Sequence, residues 1–314
     1  MPFPVVLKKK KVPPGEHVIL NFPIGHLPSG TAIDVAVHVF QASEPGPVIL
    51  LLAGMHGDEI NSIEILRRAL TNTMFEGLKR GAVIAVPLLN VFGFINFSRD
   101  VPDGKDVNRS FPGSSRGSLA SRVAYLVSRE LLPSADLIID LHTGGASKYN
   151  YPQIRYTERS EASVELARMF GAPYMIHKPL IPKSLRKTAI EMGKVAVVYE
   201  AGEAERYDPF AIHEGLTGIL RVLSHAGMMA PEEPMREVIN IRKTTWVRAH
   251  AAGLFLWTHA SGDQVAKGQK LGDIHDPQGQ QFHPVLAPRA GYIIGHNNAT
   301  VVSSGDALFH LGWT

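Results

Sequence analysis

Val48-Ile49-Leu50-Leu51-Leu52-Ala53, followed by Gly54-Met55-His56-Gly57-Asp58-Glu59, is the stretch on which the fold of this chain turns. An unbroken apolar run ended by glycine predicts a strand buried on both faces, as in a parallel sheet. Beyond it Ile60, Ile63, Leu66 and Leu70 recur at helical spacing, so strand, tight turn and helix follow in order. The rhythm then repeats. Strands are predicted at Ala82 to Val86, Asp136 to Leu141 and Val195 to Tyr199, and helices at Leu119 to Leu131, Ser160 to Phe170 and Pro209 to Ala226. Such alternation predicts an α/β domain with a mixed, mostly parallel sheet flanked by helices.

The segment Ala230-Pro231-Glu232-Glu233-Pro234 breaks this rhythm and reads as a linker. It divides a catalytic-type domain, 1–230, from a small β-rich domain, 236–314. A weak internal repeat runs through the second part. Ala249 to Gly253 precedes Val265-x-x-Gly268-x-x-Leu271, and Ala287 to Gly291 precedes Val302-x-x-Gly305-x-x-Leu308. Two such hairpin units folding over each other predict a β-sandwich or barrel. This tail resembles the biotinyl/lipoyl-type domain, whose carrier members place a lysine in the hairpin between the halves. The corresponding stretch here, Asp273 to Leu286, holds no lysine, so the tail is expected to be structural or to form one wall of the active site.

A length of 314 residues suffices for a large core, and a net charge of +3 is too small to point to nucleic acid. The absence of cysteine confines any transition-metal site to His, Asp and Glu. The run Lys8-Lys9-Lys10-Lys11 reads as a solvated strand edge or arm. No signal-peptide core follows it, and no segment approaches the ~20 apolar residues of a membrane span, so a cytoplasmic protein without a membrane partner is expected.

His56 lies in the turn after the first core strand, where sites in open α/β sheets collect, and Glu59 lies three residues on. Asp136 to Leu141 is a second core strand, again ending in a histidine, His142, before glycines. Two histidines and one glutamate form the ligand set of catalytic zinc sites, leaving one position open. Asp140 is either an outer partner of His142 or a residue satisfying backbone amides, and Asp58 either caps the helix or belongs to the outer shell. His177, His213, His259 and His283 lack a comparable context.

Three motifs in order, Gly54 to Glu59, Asp106-Val107-Asn108-Arg109-Ser110-Phe111-Pro112-Gly113, and Asp140-Leu141-His142-Thr143-Gly144-Gly145, resemble the succinylglutamate desuccinylase/aspartoacylase family of the zinc carboxypeptidase clan. The resemblance implies Zn2+ held by His56, Glu59 and His142, and Asn108 with Arg109 gripping the substrate carboxylate. It also implies Arg99 polarising the scissile carbonyl. Glu200, in a Glu-x-Gly arrangement at a third strand end, is the expected general base, with Glu203 its competitor. The expected activity is hydrolysis of the amide bond of a small N-acyl amino acid or related acylated amine, with a zinc-activated water as nucleophile. Such a small-molecule enzyme needs no nucleic acid, and a homo-oligomer is compatible with it. Two alternatives stay open: a zinc carboxypeptidase acting on peptides, and a binding protein whose metal site has decayed. The stretch Ser147 to Arg155 reads as a loop that either lines the substrate side through Tyr149, Tyr151 and Arg155 or is a plain surface loop.

Overall fold

The computed structural model describes residues 4–230, 234 and 236–314. The linker expected over Ala230 to Pro234 therefore lies largely outside the described residues. Among the described residues no helix is long and apolar enough to cross a membrane.

The lysine run sits in a small hairpin of β1 (Val6–Leu7) and β2 (Lys10–Lys11), with Lys8 and Lys9 exposed at its turn. Next come β3 (His17–His26), β4 (Ala32–Gln41), β5 (Glu44–Leu52), α1 (Ile60–Thr71), β6 (Arg80–Val86), α2 (Val91–Ile95) and α3 (Leu119–Leu126). Then follow β7 (Leu137–Gly144), β8 (Lys148–Tyr156), α4 (Glu161–Phe170), β9 (Tyr174–His177), α5 (Leu185–Glu191), β10 (Val195–Glu203) and α6 (Pro209–His225). The β-rich end holds β11 (Ile239–Ile241), β12 (Lys243–Arg248), β13 (Gly253–Trp257), β14 (Gln264–Val265), β15 (Lys270–His275), β16 (Phe282–Leu286), β17 (Gly291–Asn297), β18 (Val301–Val302) and β19 (Ala307–Trp313).

The large sheet is mixed and runs β12-β19-β17-β8-β10-β7-β5-β6-β4-β3. Its centre, β10-β7-β5-β6, is parallel, and antiparallel strands extend it on both sides. As the unbroken apolar run predicts, β5 is buried on both faces. Val48, Leu50 and Leu52 pack beneath α3 and α5, while Ile49 and Leu51 pack against α1, α4 and α6. Each such side chain withdrawn from water contributes about 1.5–3 kcal/mol before entropy is counted.

Two of the differences from the sequence reading have clear causes. The sequence reading does not include the strands β3 and β4: in β3 Ile19 and Pro23 fall between Val18, Leu20, Phe22 and Ile24 and blur the alternation, although in β4 Ile33, Val35, Val37 and Val39 do alternate with Asp34, Ala36 and His38. The stretch Ser147 to Arg155 is not a loop. Residues 148–156 form β8, antiparallel to β10. Its apolar alternation is masked because Asn150 and Gln153 are buried polar positions and Pro152 brings no N–H to the ladder.

In the β-rich end the repeat residues meet in one core. Val265 and Val302, Leu271 and Leu308, and Ala249 and Ala287 all belong to it. The two halves exchange equivalent backbone bonds: Gly268 N–H donates to Ala287 O at 2.8 Å, and Gly305 N–H donates to Ala249 O at 2.7 Å.

Candidate active site

Three strand ends bring the expected residues together. The turn after β5 carries His56, and Glu59 stands at the N-cap position of α1. Its side chain makes no capping bond, because it turns instead toward the two histidines. Asp58 does not cap the helix either; its carboxyl is buried, and burial, with the Glu59 carboxylate beside it, raises it above its ordinary value. The turn is tight because Gly57 lies against the backbone of Gly93 and Phe94, with which any Cβ would collide. Gly57 N–H donates to Ser98 O at 3.0 Å, so the loop carrying Arg99 is fastened to the turn carrying His56.

On β7, Asp140 and His142 are two residues apart and share a face. His142 Nε2 lies 2.9 Å from Asp140 Oδ2, and its Nδ1 points to the cluster. His56 Nδ1 is 2.7 Å from Glu59 Oε1, His142 Nδ1 is 2.9 Å from Glu59 Oε2, and the two Nδ1 atoms are 3.2 Å apart. All three side chains are buried, and their donor atoms lie within 4.8 Å of one another.

This donor set fits zinc. Bonds of about 2.0–2.1 Å in a tetrahedron place neighbouring donors roughly 3.3–3.4 Å apart, close to the observed separation of the imidazole nitrogens. The two imidazole nitrogens, 3.2 Å apart, and the Glu59 carboxylate all face one point, where a cation would be bound by all three. Burial opposes protonation of His56, yet Glu59 and Asp106 hold it above its ordinary value. Burial likewise opposes protonation of His142, but Asp140 and Glu59 raise it well above that value. Glu59, which burial alone would push up, is held well below the carboxylate range by both imidazoles.

Asp106, beyond the expected ligands, ties several parts together. Its Oδ1 lies 3.2 Å from His56 Nε2 and accepts from Asn108 N–H at 2.6 Å. Its Oδ2 accepts from Arg99 Nη2 at 2.9 Å. Arg99 also reaches Glu59 Oε1 at 3.2 Å through Nη1. Asn108 and Arg109 lie in the short turn that follows. Asn108 Oδ1 accepts from Leu185 N–H at 2.9 Å, while Arg109 is exposed and donates to Asn108 O at 2.7 Å.

Glu200 on β10 is in register beside His142 and lines the same cavity. Two residues on β8 hold its carboxylate: Arg155 Nη1 donates to Oε1 at 2.6 Å and Asn150 Nδ2 donates to Oε2 at 2.9 Å. Glu203 instead accepts from Asn298 Nδ2 at 2.6 Å. The cavity, of about 360 Å³, is lined by His56, Glu59, His142, Arg99, Asn108, Arg109 and Glu200. Its remaining lining includes Arg155, Lys178, Arg186 and Trp246, of which only Arg155 was anticipated. The others sit on segments that carry no motif.

Residues 45–226 match the catalytic-domain model of succinylglutamate desuccinylase/aspartoacylase. Over 93% of its length the chain is 31% identical to the N-alpha-acetyl-L-2,4-diaminobutyric acid deacetylase of Halomonas elongata, 90% of which is covered. The product-bound ectoine utilization protein EutE (DoeB) from Ruegeria pomeroyi superposes with a TM-score of 0.84 at 28% identity, over 95% of both chains. A succinylglutamate desuccinylase/aspartoacylase from Rhodobacter sphaeroides does so with a TM-score of 0.83 at 26% identity, also over 95% of both. By this full-length likeness and the match over more than half its residues, the chain belongs to the succinylglutamate desuccinylase/aspartoacylase family.

Proposed function

We propose that this protein is a zinc-dependent deacylase that hydrolyses the amide bond of a small N-acyl amino acid or related acylated amine. The convergence of His56, Glu59 and His142 at the wall of a half-open cavity carries this reading. The diaminobutyric acid deacetylase among the relatives supports the reaction class. A modest cavity walled in part by Trp246 suits a small substrate better than a peptide.

His56, Glu59 and His142 would hold Zn2+, which lowers the pKa of a coordinated water toward about 7 and polarises a carbonyl oxygen. Arg99, facing Glu59 from the cavity, is placed to bond the oxygen on which negative charge develops. Asn108 and Arg109 orient the substrate through its carboxylate, the guanidinium offering two parallel donors. Glu200 accepts the proton of the attacking water and delivers it to the departing amine nitrogen. Arg155 and Asn150 keep that carboxylate aimed into the cavity.

Glu200→Gln is expected to keep the zinc content of wild type while kcat falls about 10²–10⁴-fold on N-acyl amino acids. Glu203→Gln is the companion. If Glu203→Gln loses activity and Glu200→Gln does not, the base has been misassigned. Removal of zinc by a chelator should abolish turnover and restoring it should return turnover. Faster cleavage of C-terminal dipeptides than of N-acyl amino acids would favour the carboxypeptidase alternative.

A further inference from the structure

An antiparallel sheet that covers a core with one face normally turns polar side chains outward on the other. The four-stranded sheet of the β-rich end, in the order β16-β15-β13-β18, departs from that pattern. Its inner face supplies Phe255, Ile274, Val285 and Val302 to the core of this region. Strand periodicity sends the intervening residues the other way. They are Leu254 and Leu256 of β13, Phe282, Pro284 and Leu286 of β16, and Val301 of β18. All six are exposed, Val301 by 70%, Phe282 by 63% and Leu256 by 57%. The register makes them one patch. Val301 lies beside Leu254, which is followed across the sheet by His275 and Phe282, and the next row runs Leu256, Asp273, Pro284.

The size and the charge of this face say what fits it. A fully exposed side chain of this kind presents about 150–200 Å² to water, so the six together leave about 500 Å² of apolar surface, near the upper end for a lone monomer. With a polar rim around it, such a patch reaches the roughly 600–800 Å² per partner that a specific dimer buries. Lys270 and Asp273 supply the charges on the face, and they are already paired with each other at 3.0 Å. No net charge is left to attract an anionic membrane or a strongly charged protein. At the edge formed by β16, Pro284 has no N–H to offer an added strand, which favours packing by face over extension by edge. An apolar sheet face is matched by another one stacked about 10 Å away, and a second copy of the chain presents one of equal area.

We propose that two copies of this chain associate about a two-fold axis by packing these outer sheet faces against each other. The contact is isologous, each copy contributing the same patch. None of the six residues lines the active-site cavity, so each copy keeps a complete site of its own.

Sedimentation velocity across about 1–100 μM protein tests this on the full chain, for wild type, Leu256→Lys/Val301→Lys, Phe282→Thr and Ile19→Lys. Wild type should sediment at twice the 34.3 kDa chain mass, with a Kd of about 10 μM or tighter. The double lysine variant puts like charges into the contact and should be monomeric throughout, with the far-UV circular dichroism of wild type. Phe282→Thr, a milder change at an already exposed position, should weaken association at least about tenfold and decides the matter if the double variant does not fold. Ile19→Lys replaces an equally exposed residue on β3, far along the large sheet, and should dimerise like wild type. A wild type that stays monomeric at the highest concentration overturns the proposal. Should that monomer instead float with phosphatidylcholine vesicles, the face belongs to a membrane. A dimer that survives both the double variant and Phe282→Thr overturns it as well, since the contact then lies elsewhere.

Discussion

Behind each imidazole of the cluster stands a carboxylate: Asp106 behind His56 at 3.2 Å and Asp140 behind His142 at 2.9 Å. Such partners fix which ring nitrogen is free to bind a metal and raise its basicity. Asp106→Ala and Asp140→Ala are each expected to weaken zinc binding about 10–100-fold, read by competition with a chromogenic chelator. Unchanged affinity in both would mean that neither carboxylate orients its histidine. The two differed in how readable they were. Asp140 was legible because strand periodicity puts it on the face of His142. Asp106 was visible only as part of a motif, since nothing in the sequence shows a loop residue fifty positions away reaching back to His56. Arg155 was legible as a residue of the substrate side, but its hold on Glu200, and Asn150 altogether, were hidden because both lie on a strand whose polar inner face looks like a loop.

At the scale of elements, β5 is where sequence and structure agree most closely. A run that is apolar at every position has one comfortable place, the centre of a sheet covered on both sides. Leu51 is fully buried there among residues of α1, α4 and α6. Leu51→Ala should destabilise the protein by about 2–5 kcal/mol in chemical denaturation. A loss well under 1 kcal/mol would show that the layer above β5 repacks freely. β8 is the opposite case. It pairs with β10 along one edge, while its other edge is divided, β17 pairing with residues 148–150 and β9 with residues 153–156. Two long-range partners on one edge leave no local pattern to read.

The whole molecule is joined along that divided edge. Gly295, His296 and Asn297 of β17 pair with Asn150, Tyr149 and Lys148, and Ile241 and Ile294 pack with Tyr174 and Ile176. We expect a fragment ending at residue 230 to present an open strand edge and an uncovered apolar patch, and therefore to aggregate. Soluble yield and size-exclusion chromatography check this. A monomeric fragment with wild-type kcat/KM would show that the β-rich end is dispensable.

The unbroken ladder from β12 through β8 to β3 also bears on how a substrate gets in. Jaws need a hinge, and a hinge here would have to tear hydrogen bonds between neighbouring strands beside the very residues that hold Glu200. A wall stitched together strand by strand in this way favours a mouth of constant width, so that what fits is governed by the shape of the cavity more than by any closing motion.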